Sequence, residues 1–308
     1  MKNSGVCILG VFVADTAYLA KRMPGIGETI SGSGFSVGPG GKGSNQAVAA
    51  ARAGAQVAFI SKIGIDTFGD LAIETFAREG ILAKVTRTSD VATGAAFIYV
   101  NETNGDNAII VYPGAAGTIS IDDVESHASA IQAAAVFVTQ LEQPAAAALR
   151  GLEIARSSGV TTVFNPAPAE TFPEEIYGLC DYFIPNETEA ASLVGFSLET
   201  IADARRAGDV FLERGVTAAI ITLGHRGVLY HSGEQSIHIP AFPVETVVDT
   251  TGAGDAFVGG FSAALADAFD PVDAVRFGCA TAAIAVTRRG TAGAMPRRLE
   301  IETLYRSH

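Results

Sequence analysis

The sequence predicts an α/β fold with a mostly parallel central sheet, and three observations support that prediction. The chain has 308 residues, of which 48% are hydrophobic, so it can bury a large core. Short apolar runs that are typical of buried strands alternate with helical segments along most of its length. No internal repeat and no long linker divides the sequence. We therefore expect a single domain over residues 1–308.

The N-terminal part contains two main-sheet strands with a β-rich segment between them. Continuous apolar runs at 6–13 and 57–63 predict strands that are buried on both faces. The stretch 28–37 mixes apolar side chains with glycine and serine, which predicts short twisted strands outside the main core. A helix is expected at 44–53, with Gly54 as its C-terminal cap.

From residue 66 onwards, helical segments alternate with short strands. The predicted helices are 66–78, closed by Gly80, then 145–158, 187–194, 198–214, 254–268, 272–287 and 297–306. The predicted strands are 136–139, 161–164, 182–184 and 218–222. Repeated alternation of this kind implies parallel strands joined by right-handed crossovers.

Two β-rich segments, near 15–41 and 95–115, interrupt the alternation. The second contains strand-like runs at 95–100 and 108–112 around Asn104-Gly105, which is the pattern of a β-hairpin. Open parallel sheets bind their ligands at the carboxyl ends of the strands. We therefore expect the two segments to form a small β-sheet that closes as a lid over that end of the main sheet.

The composition argues against several classes of function. The net charge of −12 disfavours proteins that bind the phosphate backbone of nucleic acids. No apolar run reaches 18 residues, and the first ten residues lack the features of a signal peptide. Glycine accounts for 34 residues, an excess that favours close approach of the backbone to a ligand. We expect a cytoplasmic protein without nucleic-acid or membrane partners.

The cysteines and histidines show no metal-ligand spacing. The cysteines are Cys7, Cys180 and Cys279, and the histidines are His127, His225, His231, His238 and His308. We expect the cysteines to be reduced core residues and the histidines to lie on the surface or in loops.

Two common nucleotide-binding motifs are not found where they would function. Gly10 stands alone after the first strand, so no Gly-x-Gly-x-x-Gly fingerprint of dinucleotide-binding proteins follows that strand. Gly41-Lys42 is followed by Gly43 instead of serine or threonine, so the chain has no P-loop there. The missing fingerprint after the first strand disfavours nicotinamide oxidoreductases.

Two glycine-rich clusters remain, and each begins a predicted helix. The first is 38–45 and the second is 249–257. Backbone N–H groups at such helix starts can bind an anion or a phosphoryl group in transfer. Asp255, in the second cluster, is placed where a hydroxyl that attacks phosphorus must lose its proton. The alternatives are a structural turn for the first cluster and a carboxylate that merely suits the helix dipole for Asp255.

With these clusters the sequence resembles the ribokinase-like sugar kinases of the phosphofructokinase-B type. Residues 40–47 are similar to the sugar-binding motif of the family, and 249–257 to its C-terminal motif. Further similar segments are 27–29, 140–142, 165–168, 185–189 and 222–224. The resemblance covers nearly the whole chain. It implies three layers, with helices on both faces of the sheet, together with the small β-sheet lid.

The resemblance implies transfer of phosphate from ATP to the 5-hydroxyl of a pentose, with ribose first and 2-deoxyribose second. Asp255 would be the base, and the anion hole would be formed by Gly252, Ala253 and Gly254. The residues implied for sugar binding are Asp15, Gly41, Lys42, Gly43, Asn45, Glu142 and Asp255. The residues implied for nucleotide binding are Asn186, Thr222, Leu223, Gly224, Arg226, Gly227 and Gly254.

The resemblance also implies two kinds of metal ion. Glu189, with Asn186, is similar to the pair that organises Mg²⁺ and phosphate in the family. The positions similar to a monovalent-cation site are Asp249, Thr251, Ala285, Arg288, Gly290 and Ala294. Activation by K⁺ is therefore implied.

Two residues depart from the family pattern. Val13 replaces the asparagine that ribokinases commonly have two positions before the sugar-binding aspartate, and deoxyribokinases are similar to this chain there. A buried sugar hydroxyl without a partner costs about 1–3 kcal/mol, so Val13 favours 2-deoxyribose or another pentose unless a different group satisfies that hydroxyl. Cys279 replaces a histidine that ribokinases often have near adenine.

Three further interpretations concern specificity, class and assembly. A nucleoside or hexose kinase of the same family remains an alternative. A non-catalytic regulator that binds sugar or nucleotide is disfavoured, because a pure binding protein needs no base such as Asp255. Edge strands in the lid favour a homodimer in which the lids pair.

Overall fold

A nine-stranded sheet forms the centre of the structure, a computed structural model that describes residues 4–307. The strands are β1 Val6–Leu9, β2 Val13–Ala20, β3 Gly34–Gly40, β4 Val57–Gly64, β5 Leu82–Thr88, β6 Thr93–Asn101, β7 Asn107–Gly114, β8 Val136–Thr139, β9 Thr161–Phe164, β10 Tyr182–Phe183, β11 Ala218–Thr222, β12 Val228–Ser232 and β13 Ser236–Ile239. The order in the main sheet is β13-β12-β11-β10-β9-β8-β1-β4-β5. Its neighbours pair in parallel except at β11–β12 and β12–β13.

Helices cover both faces of this sheet. They are α1 Lys42–Arg52, α2 Thr67–Glu79, α3 Ile121–Ser126, α4 Ala128–Ala133, α5 Ala145–Ser157, α6 Glu187–Val194, α7 Ile201–Glu213, α8 Ala253–Ala266, α9 Pro271–Ala285 and α10 Arg298–Arg306. Along β1, Val6 and Ile8 pack into one hydrophobic cluster with α1, α2, α8, α9 and α10. Cys7 and Leu9 pack into the other cluster with α3 to α7. The predicted three-layer α/β fold is confirmed.

Local chemistry sets the ends of the helices. The side chain of Asp66 accepts the N–H of Gly69 at 2.8 Å and so caps α2 at the predicted position. Gly80, with φ of 71°, ends that helix in the left-handed conformation. The helix predicted at 44–53 starts two residues earlier, at Lys42, directly after the glycine turn.

A second, four-stranded sheet has the order β3-β2-β6-β7. β2 pairs with β3 antiparallel and with β6 in parallel, and β6 with β7 forms the predicted hairpin. Both β-rich segments therefore lie in this sheet. The small second sheet is as expected, and its action as a lid stays a prediction.

Two predicted strands have different bounds. The run 6–13 is two strands, because the chain leaves the main sheet after Leu9 and enters the second sheet at Val13. The pattern could not mark this crossing, since 11–13 are as buried as β1 itself. In the stretch 28–37, only the part from Gly34 onwards is a strand.

The sequence analysis missed β5, β12, β13, α3 and α4. The missed hairpin β12–β13 corrects the expectation for His231, which is 7% exposed on β12. Its Nδ1 lies 2.9 Å from Ser236 Oγ, and its Nε2 lies 3.0 Å from Asp209 Oδ1 of α7. Gly208 of α7 leaves room for this ring, since an added Cβ there would lie only 2.6 Å from it.

The structure also shows where the cysteines and the other histidines lie. All three cysteines are buried and free, as expected. Among the remaining histidines, His225 is exposed and His127 and His238 are partly exposed, whereas His308 lies outside the described residues. Within residues 4–307, no helix is both long enough and apolar enough to cross a membrane.

Candidate active site

Asp255 lies in the first turn of α8 and is 7% exposed. Its Oδ2 accepts a hydrogen bond from Asn45 Nδ2 at 3.0 Å, and its Oδ1 accepts one from Gln46 Nε2 at 3.1 Å. Both donors come from α1. Gly259 of α8 allows the two helices to approach closely, since an added Cβ there would lie only 2.4 Å from the Cβ of Ala49. The two glycine-rich clusters of the sequence therefore meet at one carboxylate.

The glycine turn before Asp255 is shaped to present backbone donors. Gly252 is the N-cap of α8 with φ of 78°, a conformation that suits glycine. Ala253 and Gly254 follow as the first residues of the helix, where N–H groups lack the usual helical carbonyl partner, although the N–H of Ala253 also has the carbonyl of Thr250 at 3.2 Å. Both residues line a cavity, so an anion in that cavity would meet the positive end of α8.

Lys42 lies among the carboxylates around Asp255. Its backbone N–H donates to Glu142 Oε2 at 2.7 Å. Burial lowers the pKa of the Lys42 ammonium, but attraction to Asp255, Glu142 and Glu189 outweighs this effect, and the net shift is upward. Burial raises the pKa of Glu142 to about 7, against the attraction of Lys42. Lys42 thus stays charged at neutral pH among three acids.

Asp15 lies on β2, opposite the glycines of β3. A Cβ at Gly40 would lie 2.1 Å from Asp15 Oδ1, so only glycine leaves space for this carboxylate. Burial raises the pKa of Asp15 to about 6, a hydrogen bond from Thr291 opposes the rise, and repulsion from Asp255 adds to it. Thr291 Oγ1 lies 3.5 Å from Asp15 Oδ2 and 3.3 Å from the carbonyl of Pro39.

Two of the predicted sugar residues shape the start of α1. Gly41, with φ of 90°, makes the turn into α1, and its carbonyl accepts the N–H of Asn45 at 2.8 Å. Gly43 is buried, and its backbone packs against Gly10, where an added Cβ would lie 2.7 Å from the Gly10 Cα. Gly43 therefore sets the distance between α1 and the turn after β1.

A cavity of about 620 Å³ adjoins the start of α8. The residues from the predicted nucleotide set that line it are Asn186, Thr222, Gly224, Gly227 and Gly254, and Cys279 lines it too. Leu223 and Arg226 do not. Leu223 is 1% exposed, and the Arg226 guanidinium bonds to Glu187 and to the carbonyl of Glu199 instead.

Asn186 and Glu189 hold each other at the start of α6. Asn186 Oδ1 accepts the N–H of Glu189 at 2.7 Å, and Glu189 Oε2 accepts the N–H of Asn186 at 2.8 Å. This is a capping box, which explains both residues structurally without excluding a second role. Burial raises the pKa of Glu189, against a hydrogen bond from Asn186 and the attraction of Lys42.

The predicted monovalent-cation residues lie on two loops that Asp249 joins. Its Oδ1 accepts the N–H of Thr251 at 2.9 Å, and its Oδ2 accepts that of Gly290 at 2.9 Å. Ala285 ends α9 and accepts the N–H of Arg288 at 3.0 Å. Ala294 lies in a 3-10 turn, and the Arg288 guanidinium pairs with Glu300. Asp249, Thr251 and Gly290 are therefore brought together.

Comparison with known proteins assigns the family. Residues 4–298 match the sequence model described as pfkB family carbohydrate kinase. The chain belongs to this family. It is a sugar kinase, and the resemblance seen in the sequence is confirmed.

Individual relatives cover almost the whole kinase. It is 40% identical over 294 residues to a ribokinase of Haemophilus influenzae, with 95% of each chain covered. It is 34% identical to a deoxyribokinase of Salmonella typhi, with 94% of this chain and 95% of the other covered. A structure of Arabidopsis thaliana ribokinase complexed with ribose and ATP superposes with a TM-score of 0.90 at 27% identity, with 98% of each chain covered.

The sequence analysis missed several residues of the kinase's site. Gln46 contacts Asp255 directly, and Thr291 contacts Asp15. The nucleotide-side cavity has further walls at His225, Phe242, Pro243, Val244, Val247, Phe257 and Ala283. Gln46 lay inside the recognised segment 40–47 and could have been found there. The loop at 242–247 carries no regular pattern, so the sequence offered no signal for it.

Proposed function

We propose that the protein transfers the γ-phosphoryl group of ATP to the 5-hydroxyl of a pentose, D-ribose first. The placement of Asp255 carries this proposal. The buried carboxylate lies between the sugar-side residues around Lys42 and the cavity that Gly254 lines. Two relatives support the substrate, since one is named ribokinase and another was solved with ribose and ATP.

Asp255 would act as the general base. As the sugar oxygen attacks the γ-phosphorus, its proton passes to the Asp255 carboxylate, the new O–P bond forms, and the bond to the β-phosphate breaks to release ADP. Gly252, Ala253 and Gly254 would offer backbone N–H groups to the charge that develops on the phosphoryl oxygens. Alignment and charge stabilisation account for most of the catalysis in such a reaction.

The sugar would lie against Asp15, Gly41, Lys42, Asn45 and Glu142. Asn45 supplies an independent indication, because its Oδ1 is buried and has no hydrogen-bond partner among the described residues. A buried amide oxygen without a partner is costly, and a sugar hydroxyl would satisfy it. Burial raises the pKa of Asp15 to about 6 and that of Glu142 to about 7, so both would accept hydrogen bonds from sugar hydroxyls as carboxylates at and above neutral pH.

Mg²⁺ would be held chiefly by the phosphates and water, with Glu189 as the protein contribution. Glu189 fits a hard cation, because it is a carboxylate near the nucleotide-side cavity and one of its oxygens is left over from the capping box. Residues 4–307 contain no cluster of three or more His, Cys, Asp and Glu side chains that could hold a metal ion by themselves. When bound, Mg²⁺ neutralises phosphate charge.

K⁺ would bind between the loops that Asp249 joins. The ligands would be the Asp249 carboxylate and backbone carbonyls of the loop at 285–294, since oxygen atoms are the ligands that alkali cations prefer. Although burial raises the pKa of Asp249, hydrogen bonds from Thr251 and Gly290 keep it below its usual range, so the carboxylate carries its charge. The same loop leads into Gly252.

A second candidate is phosphorylation of 2-deoxyribose. Val13 is 5% exposed, lies two residues before Asp15, and points to the same face of β2. It offers no hydrogen bond to a 2-hydroxyl. The relative from Salmonella typhi that is named deoxyribokinase supports this alternative.

The second sheet would act as the lid and as a dimer contact. Strand β7 is an edge strand of that sheet, with Ile109, Ile110, Val111 and Tyr112 between 48% and 68% exposed. Exposed apolar edge strands are prone to pair, so two lids would cover each other. Since the kinase uses ATP, a cytoplasmic location follows from the same proposal.

The test is turnover of ATP with Mg²⁺ and K⁺ against ribose, 2-deoxyribose, other pentoses, hexoses and nucleosides. We expect a clear preference for a pentose. Activity on hexoses or nucleosides alone would overturn the substrate while leaving the family intact. A higher kcat/KM for 2-deoxyribose than for ribose would favour the second candidate.

A further inference from the structure

A chain of buried amide side chains extends from Asp255 into the core. Gln46 Nε2 donates to Asp255 Oδ1 at 3.1 Å and to Asn165 Oδ1 at 3.2 Å. Gln46 Oε1 accepts from Gln140 Nε2 at 2.5 Å. Both glutamines are completely buried, and Asn165 is 9% exposed. The base therefore has a supporting layer of amides behind it.

A backbone carbonyl fixes the direction of these hydrogen bonds. Asn165 Nδ2 donates to the carbonyl of Ile184 at 2.7 Å, and a carbonyl can only accept. Asn165 must therefore turn Oδ1 towards Gln46, and Gln46 must in turn present Nε2 to it. The same nitrogen faces Asp255. A reversed Gln46 would set its Oε1 against two acceptor oxygens.

The arrangement is difficult to explain as a device for stability alone. Gln140 Oε1 is buried without a hydrogen-bond partner among the described residues. A Cβ at Gly10 would lie 2.5 Å from this oxygen, so the glutamine needs that space in the turn after β1. Apolar side chains of the same size would fill the core without leaving a polar atom unpaired.

We propose that Gln46 is a positioning residue for the base, and that Gln140 and Asn165 act through it to hold the Asp255 carboxylate in one orientation. Asn45 holds the other oxygen, so each oxygen has one fixed donor and keeps lone-pair capacity for the hydroxyl proton. This inference rests on the proposed function of Asp255. Burial raises the pKa of Asp255, and the attraction of Lys42 and the hydrogen bonds from Asn45 and Gln46 oppose that rise.

The experiment compares Gln46→Met, Gln140→Met and Gln143→Met with the same sugar that the wild type phosphorylates. Gln143 is the matched control: it is 3% exposed, its Oε1 is likewise buried without a hydrogen-bond partner among the described residues, and it bonds to Thr139 Oγ1 and to the backbone carbonyl of Gln140, but not to the side-chain amides that reach Asp255. For Gln46→Met we expect kcat to fall by about tenfold or more, with the KM for sugar changed by less than about threefold.

The pH profile separates positioning from loss of stability. Without the Gln46 donor the charged form of Asp255 is less favoured, so the acid limb of kcat should move to higher pH by about half a unit or more. Gln140→Met should move it less, and Gln143→Met not at all, whatever each variant does to the melting temperature. Equal profiles for Gln46→Met and Gln143→Met would overturn the proposal.

A second variant is available if Gln46→Met does not fold, and a second measurement is available if no sugar is turned over. Gln46→Glu keeps the shape but sets a carboxyl oxygen against Asp255, and it should move the acid limb further upward. Carbon NMR can follow the Asp255 carboxyl in the free protein, assigned by its absence in Asp255→Asn. A titration midpoint unmoved by loss of the Gln46 donor would reject the role of Gln46 even if no pentose is turned over, whereas an upward shift without pentose turnover would reject only the proposed substrate.

Discussion

Asn45 Nδ2 lies 3.0 Å from Asp255 Oδ2, although 210 residues separate the two in the chain. The contact joins the first turns of α1 and α8, and so joins the two glycine-rich clusters that the sequence marks as functional. In the proposed mechanism, one helix brings the sugar-side residues and the other brings the base and the glycine turn. The proposed reaction would therefore take place where two helix N-termini meet, next to the carboxyl ends of the parallel strands.

Replacing the base tests its role directly. In Asp255→Asn the amide cannot take the hydroxyl proton, so kcat should fall by about 10² or more while sugar and ATP still bind. Turnover measures the first effect, and titration calorimetry with each ligand measures the second. Asp267→Asn, a change at a surface aspartate that pairs with Arg298, is the control. A variant at position 255 with near-normal kcat would remove Asp255 from the role of base.

The identity of residue 13 should set the choice between ribose and 2-deoxyribose. Val13→Asn adds a donor and an acceptor for the 2-hydroxyl, so the ratio of kcat/KM for ribose to that for 2-deoxyribose should rise by about tenfold, which corresponds to about 1.4 kcal/mol. Val13→Ile changes size without adding a polar group and should leave the ratio unchanged. If Val13→Asn leaves it unchanged as well, residue 13 does not read the 2-hydroxyl.

Most of the fold followed from the sequence, because buried parallel strands and helices repeat in a regular way. The missed hairpin β12–β13 lies at the sheet edge, where polar residues such as the buried His231 and the half-buried Ser236 interrupt the apolar pattern. The end of β1 before Gly10 could not be recognised in the sequence, because buried apolar residues continue through Val13.

In the site, Asp255 and Asn45 could be predicted because each lies within one of the two glycine-rich motifs. Thr291 was missed because its contact with Asp15 joins positions that only the tertiary fold brings together, whereas Gln46 lies within the recognised segment 40–47 and could have been found there. Arg226 shows the opposite case. It stands in a nucleotide-side segment of the sequence, yet its guanidinium turns towards α6 and α7.

Glu142 should lower the stability of the free protein at neutral pH. Burial raises its folded-state pKa to about 7, above the ordinary value of 4.5, so between these values the unfolded chain releases the proton first. Wild-type stability contributed by this group is therefore present below about pH 4.5 and lost as the pH rises to about 7. Relative to wild type, Glu142→Gln should gain on the order of 1–3 kcal/mol between pH 4.5 and pH 8.

Urea unfolding of both proteins at several pH values measures this difference, and it should level off above pH 7.5. The same variant should bind sugar more weakly, since it loses a charged acceptor. A stability difference that is constant with pH would show that the Glu142 carboxyl titrates alike in the folded and unfolded states.

Monovalent-cation activation should depend on Asp249. With ionic strength held constant, replacing Na⁺ by K⁺ should raise the wild-type kcat several-fold, and Asp249→Asn should lose most of that response because it loses the charge on the joined loops. Turnover at graded KCl concentrations measures both. Glu300→Gln alters the pair with Arg288 and the capping hydrogen bond from the N–H of Arg297, but not Asp249, and should retain activation. Equal activation in wild type and Asp249→Asn would place the cation elsewhere.

A charge on the outer strand of the second sheet should separate the dimer. Ile110 is 68% exposed on β7, and an added lysine there would repel its counterpart in a lid-to-lid pair. Sedimentation of Ile110→Lys should give the monomer mass at concentrations where wild type gives the dimer. Leu299→Lys is the matched control, because Leu299 is 76% exposed on α10, away from that sheet. A wild-type monomer, or a dimer that Leu299→Lys alone dissociates, would show that β7 is not the contact.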